Sequence, residues 1–511
     1  MVAFAIDNKK MMKNTLVLYF RMAFTMVVSF FTTRVTLEVL GVEDYGLNNL
    51  VGGVVAMFSF INSSMGTAVQ RFFCIEIGQG NLTKLKVIFG CGLYLHIIVA
   101  IITLLLAEIF AFFFLEKLNI PIERLNAAQA VFQFAMISMF FNIINVPYVA
   151  LLRAREEFAI IAKNDILISI LRLGVLYCLY FIAFDKLVLL ALLNFIISVF
   201  SVVYLTLKAR IYEEARSFIC RNKEIIREMI TFVSMLLLTV LTSILRENGM
   251  IILVNLFFGL VINAAFAIAF QVTMMMTTFV MNFKQSIIPQ LMAAWGAGDV
   301  NSVYKLINWG TKITFVLMLV ISVPIILECD YLLKIWLTTP PEFASNLVRL
   351  GVISVNISSF TYFFYQAVHA TGHIKLQQIT MSFSYILNIL LIYIMLKFGF
   401  NFYYCYYVTI VISLLQCGIN LYYAARYVKI DINSFCSDII GRCVLACVSV
   451  VALLYFVLIT NMESSFLRLL LITFFSTFFI LIEGYFILLN KQERELLVLW
   501  MKSKWYKKRH V

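Results

Sequence analysis

Apolar residues run along this chain in long blocks broken by short polar elbows, and in windows of about nineteen residues the blocks read as membrane-spanning helices. In the first half they cover roughly 15–37, 47–69, 87–114, 128–150, 159–182 and 187–207. Second-half runs begin at Met229, Ala264, Leu306, Asn346, Gln377 and Phe402, and two further blocks cover 439–460 and 466–489. Fourteen spans are predicted.

The elbow Leu40-Gly41-Val42-Glu43-Asp44-Tyr45-Gly46 and the exit Gly78-Gln79-Gly80-Asn81 frame the second span. Adding 218 to the numbering takes Gly41 to Gly259, Gly78 to Gly296, Gly80 to Gly298 and Asn81 to Asp299 without a gap. Six spans therefore repeat as a block. Six is even, so both copies enter the membrane from the same side, and the two lobes are expected to be related by an axis along its normal. The expected organisation is all-α: spans 1–6 in 1–207, an inter-lobe linker at 208–228, spans 7–12 in 229–425, two extra spans in 426–489 and a basic tail at 490–511.

Composition agrees. Of 511 residues 63% are hydrophobic and only 13% charged, with a mean hydropathy of +0.96, which excludes a water-soluble fold. The net charge of +13 is spread over short loops and the tail, a pattern of retention at one membrane face rather than of nucleic-acid binding. With the amino terminus inside, 29 of the 40 Lys and Arg fall on the inner side and 8 on the outer, so both termini are expected in the cytoplasm. The linker 208–228 reads as an amphipathic helix lying on the inner leaflet, and the tail as a segment that favours anionic lipid heads. The ten cysteines lie mostly in apolar runs without Cys-x-x-Cys spacing and are expected to be reduced. No loop is long enough for a catalytic domain, so a transporter without cofactor or metal is expected rather than an enzyme. His369 and His373 stand at i, i+4, but no third ligand stands near them in sequence.

Ionisable groups inside spans are costly and line cavities or pair with one another. The deep ones are Arg21, Glu108, Asp165, Arg172, Arg246, Glu247 and Glu483, with Arg34, Lys163, Lys284 and Lys312 nearer span ends. Thr25, Ser29 and Thr32 continue the face of Arg21, as one wall of a wet cavity would require. Arg246 and Glu247 are adjacent and project about 100° apart, so at least one needs a partner on another helix. Asp165 and Arg172 are too far apart along their helix to pair directly. Guanidinium suits phosphate because it stays charged and grips two oxygens. Arg21 and Arg246 are thus the candidates to hold an anionic head group, helped by Arg34 and Lys284, while Asp165 and Glu247 are the candidate ion-coupling carboxylates. Polar stripes that include Asn48 and Asn62 on the second span, and Gln271 and Asn282 on the eighth, suit contacts to sugar.

Leu40 to Gly46, Leu47-Asn48-Asn49-Leu50-Val51-Gly52-Gly53, Gln70-Arg71-Phe72, Asn255-Leu256-Phe257-Phe258-Gly259, Asn263-Ala264-Ala265, Ile288-Pro289-Gln290 and Ala370-Thr371-Gly372 together resemble Wzx-type polysaccharide flippases of the multidrug/oligosaccharidyl-lipid/polysaccharide exporter (MOP) superfamily. The resemblance covers most of the first twelve spans. It implies two MATE-like six-helix lobes that rock about a cavity and move a polyprenyl-pyrophosphate-linked oligosaccharide from the cytoplasmic to the outer leaflet of a bacterial inner membrane. It further implies a role in cell-surface polysaccharide or lipopolysaccharide (O-antigen) biosynthesis, membrane lipids and lipid-linked oligosaccharide as binding partners, and a polysaccharide polymerase and export machinery as associates. Arg246-Glu247-Asn248-Gly249 departs from the uncharged polar residues that similar proteins show before that glycine. The competing readings are a MATE-like drug antiporter, which would offer carboxylates to its cargo, and, third, a membrane polymerase or glycosyltransferase.

Overall fold

The computed structural model describes residues 6–56, 59–114, 121–182, 184–337, 339–431 and 463–488, together with 441 and 494. The expected thirteenth span and most of the basic tail lie outside the described residues. Those described are helical or in connections, with no strand among them. In chain order the helices are α1 (Asn8–Ala56), α2 (Ser59–Gln79), α3 (Leu82–Phe114), α4 (Leu125–Ala154), α5 (Phe158–Cys178), α6 (Lys186–Ala209) and α7 (Lys223–Gly296). They continue with α8 (Val300–Leu327), α9 (Cys329–Leu337), α10 (Ala344–Phe360), α11 (Tyr362–Thr371), α12 (Lys375–Lys397), α13 (Tyr404–Val428) and α14 (Phe466–Glu483). Among the described residues ten helical stretches are long and apolar enough to cross a membrane. Because α7 holds two spans joined at Gly259, and because α2 and α5 are also of span length, thirteen of the fourteen expected spans are covered wholly or in part by the described residues.

The sequence repeat reappears as repeated backbone geometry. Gly41 adopts φ 77°, ψ 173° inside α1, and Gly259 adopts φ 77°, ψ −170° inside α7. This corner of conformational space is open essentially to glycine alone, so the first two spans of each copy are hinged by the same residue in the same state. The exits match as closely. Gly80 and Gly298 take φ 71° and 75°. The Asn81 N–H donates to the Glu76 carbonyl and the Asp299 N–H to the Ala294 carbonyl, both at 3.0 Å. Both side chains then cap the following helix, Asn81 accepting from the Lys84 N–H and Asp299 from the Ser302 N–H, each at 3.0 Å.

The chain divides into two compact units, Met1–Val240 with Gln285–Ser302, and Leu241–Lys284 with Val303–Val511. In the first, α4 packs against α2, α3 and α6, and α1 against α5. Its core includes Ala100, Ala128, Phe132, Met136 and Ile143. Small residues on facing helices allow the close approach on which association in lipid depends. Beside the elbow, Arg124 bridges Asp44 and Asp185, and Asp185 also caps α6 by accepting the Leu187 and Val188 N–H groups. In the second unit α10, α11 and α12 each pack against α13. Phe266 stacks on Tyr406 at 5.3 Å within its core. There α14 is tied to the end of α8 by Arg468, which donates to Glu328 at 2.7 Å.

The linker departs from the expected amphipathic helix. Residues 208–209 and 223–228 belong to the ends of α6 and α7, while between them Glu213–Arg216 forms a 3-10 turn and 217–222 is non-helical. Glu214 is drawn inward to accept two hydrogen bonds from Arg155, at 2.9 and 2.6 Å. Gly90 of α3 lies so close to the Phe218 carbonyl that a Cβ would come within 2.5 Å of it. A buried charge pair and a backbone-to-backbone contact thus override the local amphipathic pattern. Tyr212 donates to Glu157 at 2.8 Å. Burial, reinforced by that carboxylate, pushes its phenol up to about 12.

Candidate functional site: an arginine cluster around Asp165

One ion pair joins two helices of the first unit, and two further arginines lie in its electrostatic surroundings. Arg21 of α1 donates to Asp165 of α5 at 3.0 Å. Arg153, in the last turn of α4, lies within electrostatic reach of both Arg21 and Asp165. Arg172, two turns beyond Asp165 on α5, is coupled to the same carboxylate. Asn164 contacts the other Asp165 oxygen at 3.4 Å and is itself held by Ser201 at 3.0 Å. Arg21 and Asp165 form a direct pair, and Arg153 and Arg172 add positive charge to its surroundings. Charges among spans need partners of this kind.

The hydroxyls that continue the Arg21 face are turned to their own helix. Thr25 donates to the Arg21 carbonyl at 2.9 Å, Thr32 to that of Val28 at 2.8 Å and Thr36 to that of Thr32 at 2.7 Å. Such back-bonding spends the hydroxyl proton and leaves the oxygen lone pairs as acceptors. Arg34 is exposed farther along α1, roughly 220° round the helix from Arg21, in electrostatic reach of Tyr180 beside Glu38. Asn48 is half-buried on the same helix, and the side chain of Asn62 lies outside the described set.

In the second unit Arg246 reaches round its own helix to Glu247 at 3.1 Å and lays its guanidinium 5.0 Å from the Tyr385 ring of α12. The expectation that neighbours on one helix point apart is thus overcome by the length of the arginine side chain, while the partner on another helix is an aromatic face. Lys284 is 4% exposed and sits 4.4 Å above the Tyr362 ring. Among the described residues no carboxylate pairs with it. Gln271 is exposed. Asn282 is buried, with its amide donating to the Thr278 carbonyl at 2.9 Å. The candidate residues therefore fall into an ion pair at Asp165 with Arg153 and Arg172 in electrostatic range, a second pair at Arg246, and single positions elsewhere.

Arg153 and Tyr385 are the contributors that the sequence reading missed. Arg153 falls beside Arg155 and Glu156, which reads as a loop. The apolar run ending at Leu151-Leu152 was the available signal that the helix extends this far. The two histidines part company, because Gly372 ends α11 between them at φ 83°. His369 is buried against Gln378 at 2.8 Å, and His373 stacks on Tyr427 at 5.6 Å. No group of three metal-ligating side chains occurs among the described residues.

The fold has known counterparts. A crystal structure of a MATE transporter carrying a single substitution superposes with a TM-score of 0.72 at 13% identity, covering 82% of this chain and 96% of that one. An outward-facing MATE-family multidrug resistance transporter of the MOP superfamily gives 0.66 at 12% identity over 82% and 96%. A MOP superfamily transporter from Pyrococcus furiosus gives 0.65 at 14% identity over the same shares. No curated protein sequence matches significantly. The MatE family model matches residues 18–178 and 250–394, more than half of the chain and both copies of the repeat, and the chain therefore belongs to the MatE family of membrane transporters.

Proposed function

We propose that this transporter is a flippase for a polyprenyl-pyrophosphate-linked oligosaccharide, moving it from the cytoplasmic to the outer leaflet of a bacterial inner membrane in cell-surface polysaccharide synthesis. The observation that carries this reading is the Arg21–Asp165 pair between two spans with Arg153 and Arg172 in its electrostatic surroundings. A pyrophosphate carries about two negative charges, and stripping its water without compensation costs several kcal/mol. Fixed guanidinium groups replace that water and hold phosphate oxygens in pairs. The prenyl tail gains nothing by leaving lipid, so only the head group needs a polar path.

In this reading Arg21, Arg153 and Arg172 receive the pyrophosphate. Arg246 and Lys284 add positive charge in the second unit, and Arg34 adds it near the far end of the first span. Asn48, Asn62, Gln271 and Asn282 contact sugar hydroxyls. Asp165 and Glu247, each held by an arginine of its own unit, are where a coupling cation would compete. Both termini face the cytoplasm, following the bias of basic residues.

MATE transporters share the fold, so a drug antiporter is the competing reading. The Pyrococcus furiosus transporter is described as having a binding pocket of reverse polarity that suggests a different function, which fits charge in the site as the discriminating property. The test is reconstitution into vesicles with two cargoes, a fluorescent prenyl-pyrophosphate glycan and a cationic dye. Flipping of the glycan lipid that falls at least tenfold in both Arg153→Gln and Arg172→Gln supports the flippase. Dye efflux without glycan flipping, unchanged or raised in those variants, overturns it.

A further inference from the structure

Outside the arginine cluster, the second unit carries a groove between α12 and α13. It is a wide-open surface groove of about 390 Å³, lined by Thr380, Leu415, Gly418, Ile419, Tyr422 and Tyr423. Gly418 forms an open floor, since a Cβ built there meets nothing within 4 Å. Thr380 spends its hydroxyl proton on the Leu376 and Gln377 carbonyls, so the walls present little unmet polarity. Leu415 and Tyr422 are exposed, which places the groove on an outward face of α13.

The mouth of the groove has a different chemistry. Arg426 donates to the Tyr422 hydroxyl at 3.3 Å and lies 5.7 Å from the Tyr427 ring. Tyr423 and His373 each stack on Tyr427, at 5.9 and 5.6 Å. Exposed Lys375 and Lys429 flank this aromatic collar in sequence, and the nearby carboxylate in sequence is Asp431. Among the described residues no carboxylate pairs with Arg426. From Leu415 through Ile419 and Tyr422 to Arg426, one helix face passes from apolar to aromatic to cationic over roughly 16 Å. That is about the hydrocarbon depth of one leaflet.

We propose that this groove is a binding site for an anionic phospholipid, with an acyl chain on Gly418 between Leu415 and Ile419 and the phosphate at Arg426. The order of chemistry along the groove is that of the lipid. An aromatic ring at the boundary suits the glycerol level, where amphipathic rings settle. A guanidinium without a carboxylate partner among the described residues supplies the charge complementarity that zwitterionic lipid does not require. The site is independent of the cargo reading, because none of its residues belongs to the arginine cluster.

The test is native mass spectrometry of the full-length protein in nanodiscs containing equal phosphatidylglycerol and phosphatidylcholine. Retention of one phosphatidylglycerol at least fivefold above phosphatidylcholine is expected. Arg426→Gln should erase that preference, and Gly418→Leu, which fills the groove without a backbone clash, should lower retention of both lipids severalfold. Equal retention of the two lipids by the wild type, or a preference untouched by both variants, overturns the proposal. So does displacement of phosphatidylglycerol by an equimolar polyprenyl phosphate, which would make the groove a carrier-lipid site.

Discussion

Gly78 at the end of α2 lies against the backbone carbonyl of Ala293 near the end of α7, so closely that a side-chain carbon on the glycine would overlap that oxygen. The relationship is reciprocal: Gly296 lies in the same way against the Ile75 carbonyl. Ile75 and Ala293, like Gly78 and Gly296, are separated by the 218 residues of the repeat. Two copies of one exit motif therefore cross backbone to backbone inside the first unit, a contact that only a residue without a side chain allows.

The first prediction concerns this crossing. Gly78→Leu forces α2 and the end of α7 apart and should cost on the order of 1–3 kcal/mol of stability, as overpacking does. Gly418→Ala, on an open helix face, should instead be neutral or stabilising by up to about 1 kcal/mol through helix propensity. Thermal unfolding of the two variants in the same detergent checks this, and equal melting temperatures would contradict the crossing.

A second prediction concerns the arginines around Asp165. Removing Arg153 takes positive charge from the surroundings of the Arg21–Asp165 pair, although it sits at the end of α4. Arg153→Gln should reduce transport at least tenfold, about 1.4 kcal/mol in the barrier, with the protein still present in the membrane. Arg153→Lys should recover part of the loss, because it restores the charge but not the paired hydrogen bonds. Transport assays normalised to membrane abundance decide the matter.

The buried pair that holds α14 gives a third. Glu328 is 1% and Arg468 11% exposed at the side chain, and the second Glu328 oxygen has no hydrogen-bond partner. Arg468→Leu strands a buried carboxylate and should destabilise by roughly 3–5 kcal/mol. Adding Glu328→Leu should return much of that loss, since the stranded charge is then gone. A double-mutant cycle that shows simple additivity would count against the pair.

Glu156 gives a fourth, with a pH dependence. It occupies the left-handed region at φ 60° between α4 and α5, and accepts from the Gln290 amide at 2.9 Å. Burial raises its carboxyl above the ordinary value of 4.5, against the opposing effects of Gln290 and Lys10. An acid with a raised folded pKa binds its proton more tightly in the folded chain. Stability is therefore lost as pH climbs from the ordinary carboxylate value through the raised one. Relative to Glu156→Gln, the wild type should lose thermal stability on going upward from about pH 4.5. A wild-type-minus-variant difference that is flat or rises with pH would refute this assignment.

The sequence by itself determined the elements whose cause is local. Runs of apolar residues specify spans wherever they occur. The elbows and exits were legible because Gly41, Gly259, Gly80 and Gly298 occupy backbone states that their own lack of a side chain permits. The concentration of arginines within the spans was visible for the same reason, as each is conspicuous against hydrocarbon. Only the tertiary structure decided the partners. Arg21 meets Asp165 from 144 residues away, Arg246 finds its own neighbour and a tyrosine of α12, and Arg153 joins the cluster although its sequence neighbours look like a loop. The linker shows the contest most plainly: its amphipathic pattern favours a helix, but Arg155, 59 residues from Glu214, draws that carboxylate inward and Gly90 seats the backbone. Local propensity amounts to tenths of a kcal/mol per residue, whereas a buried charge left without its partner costs several. Where the two conflict, the distant partner sets the conformation.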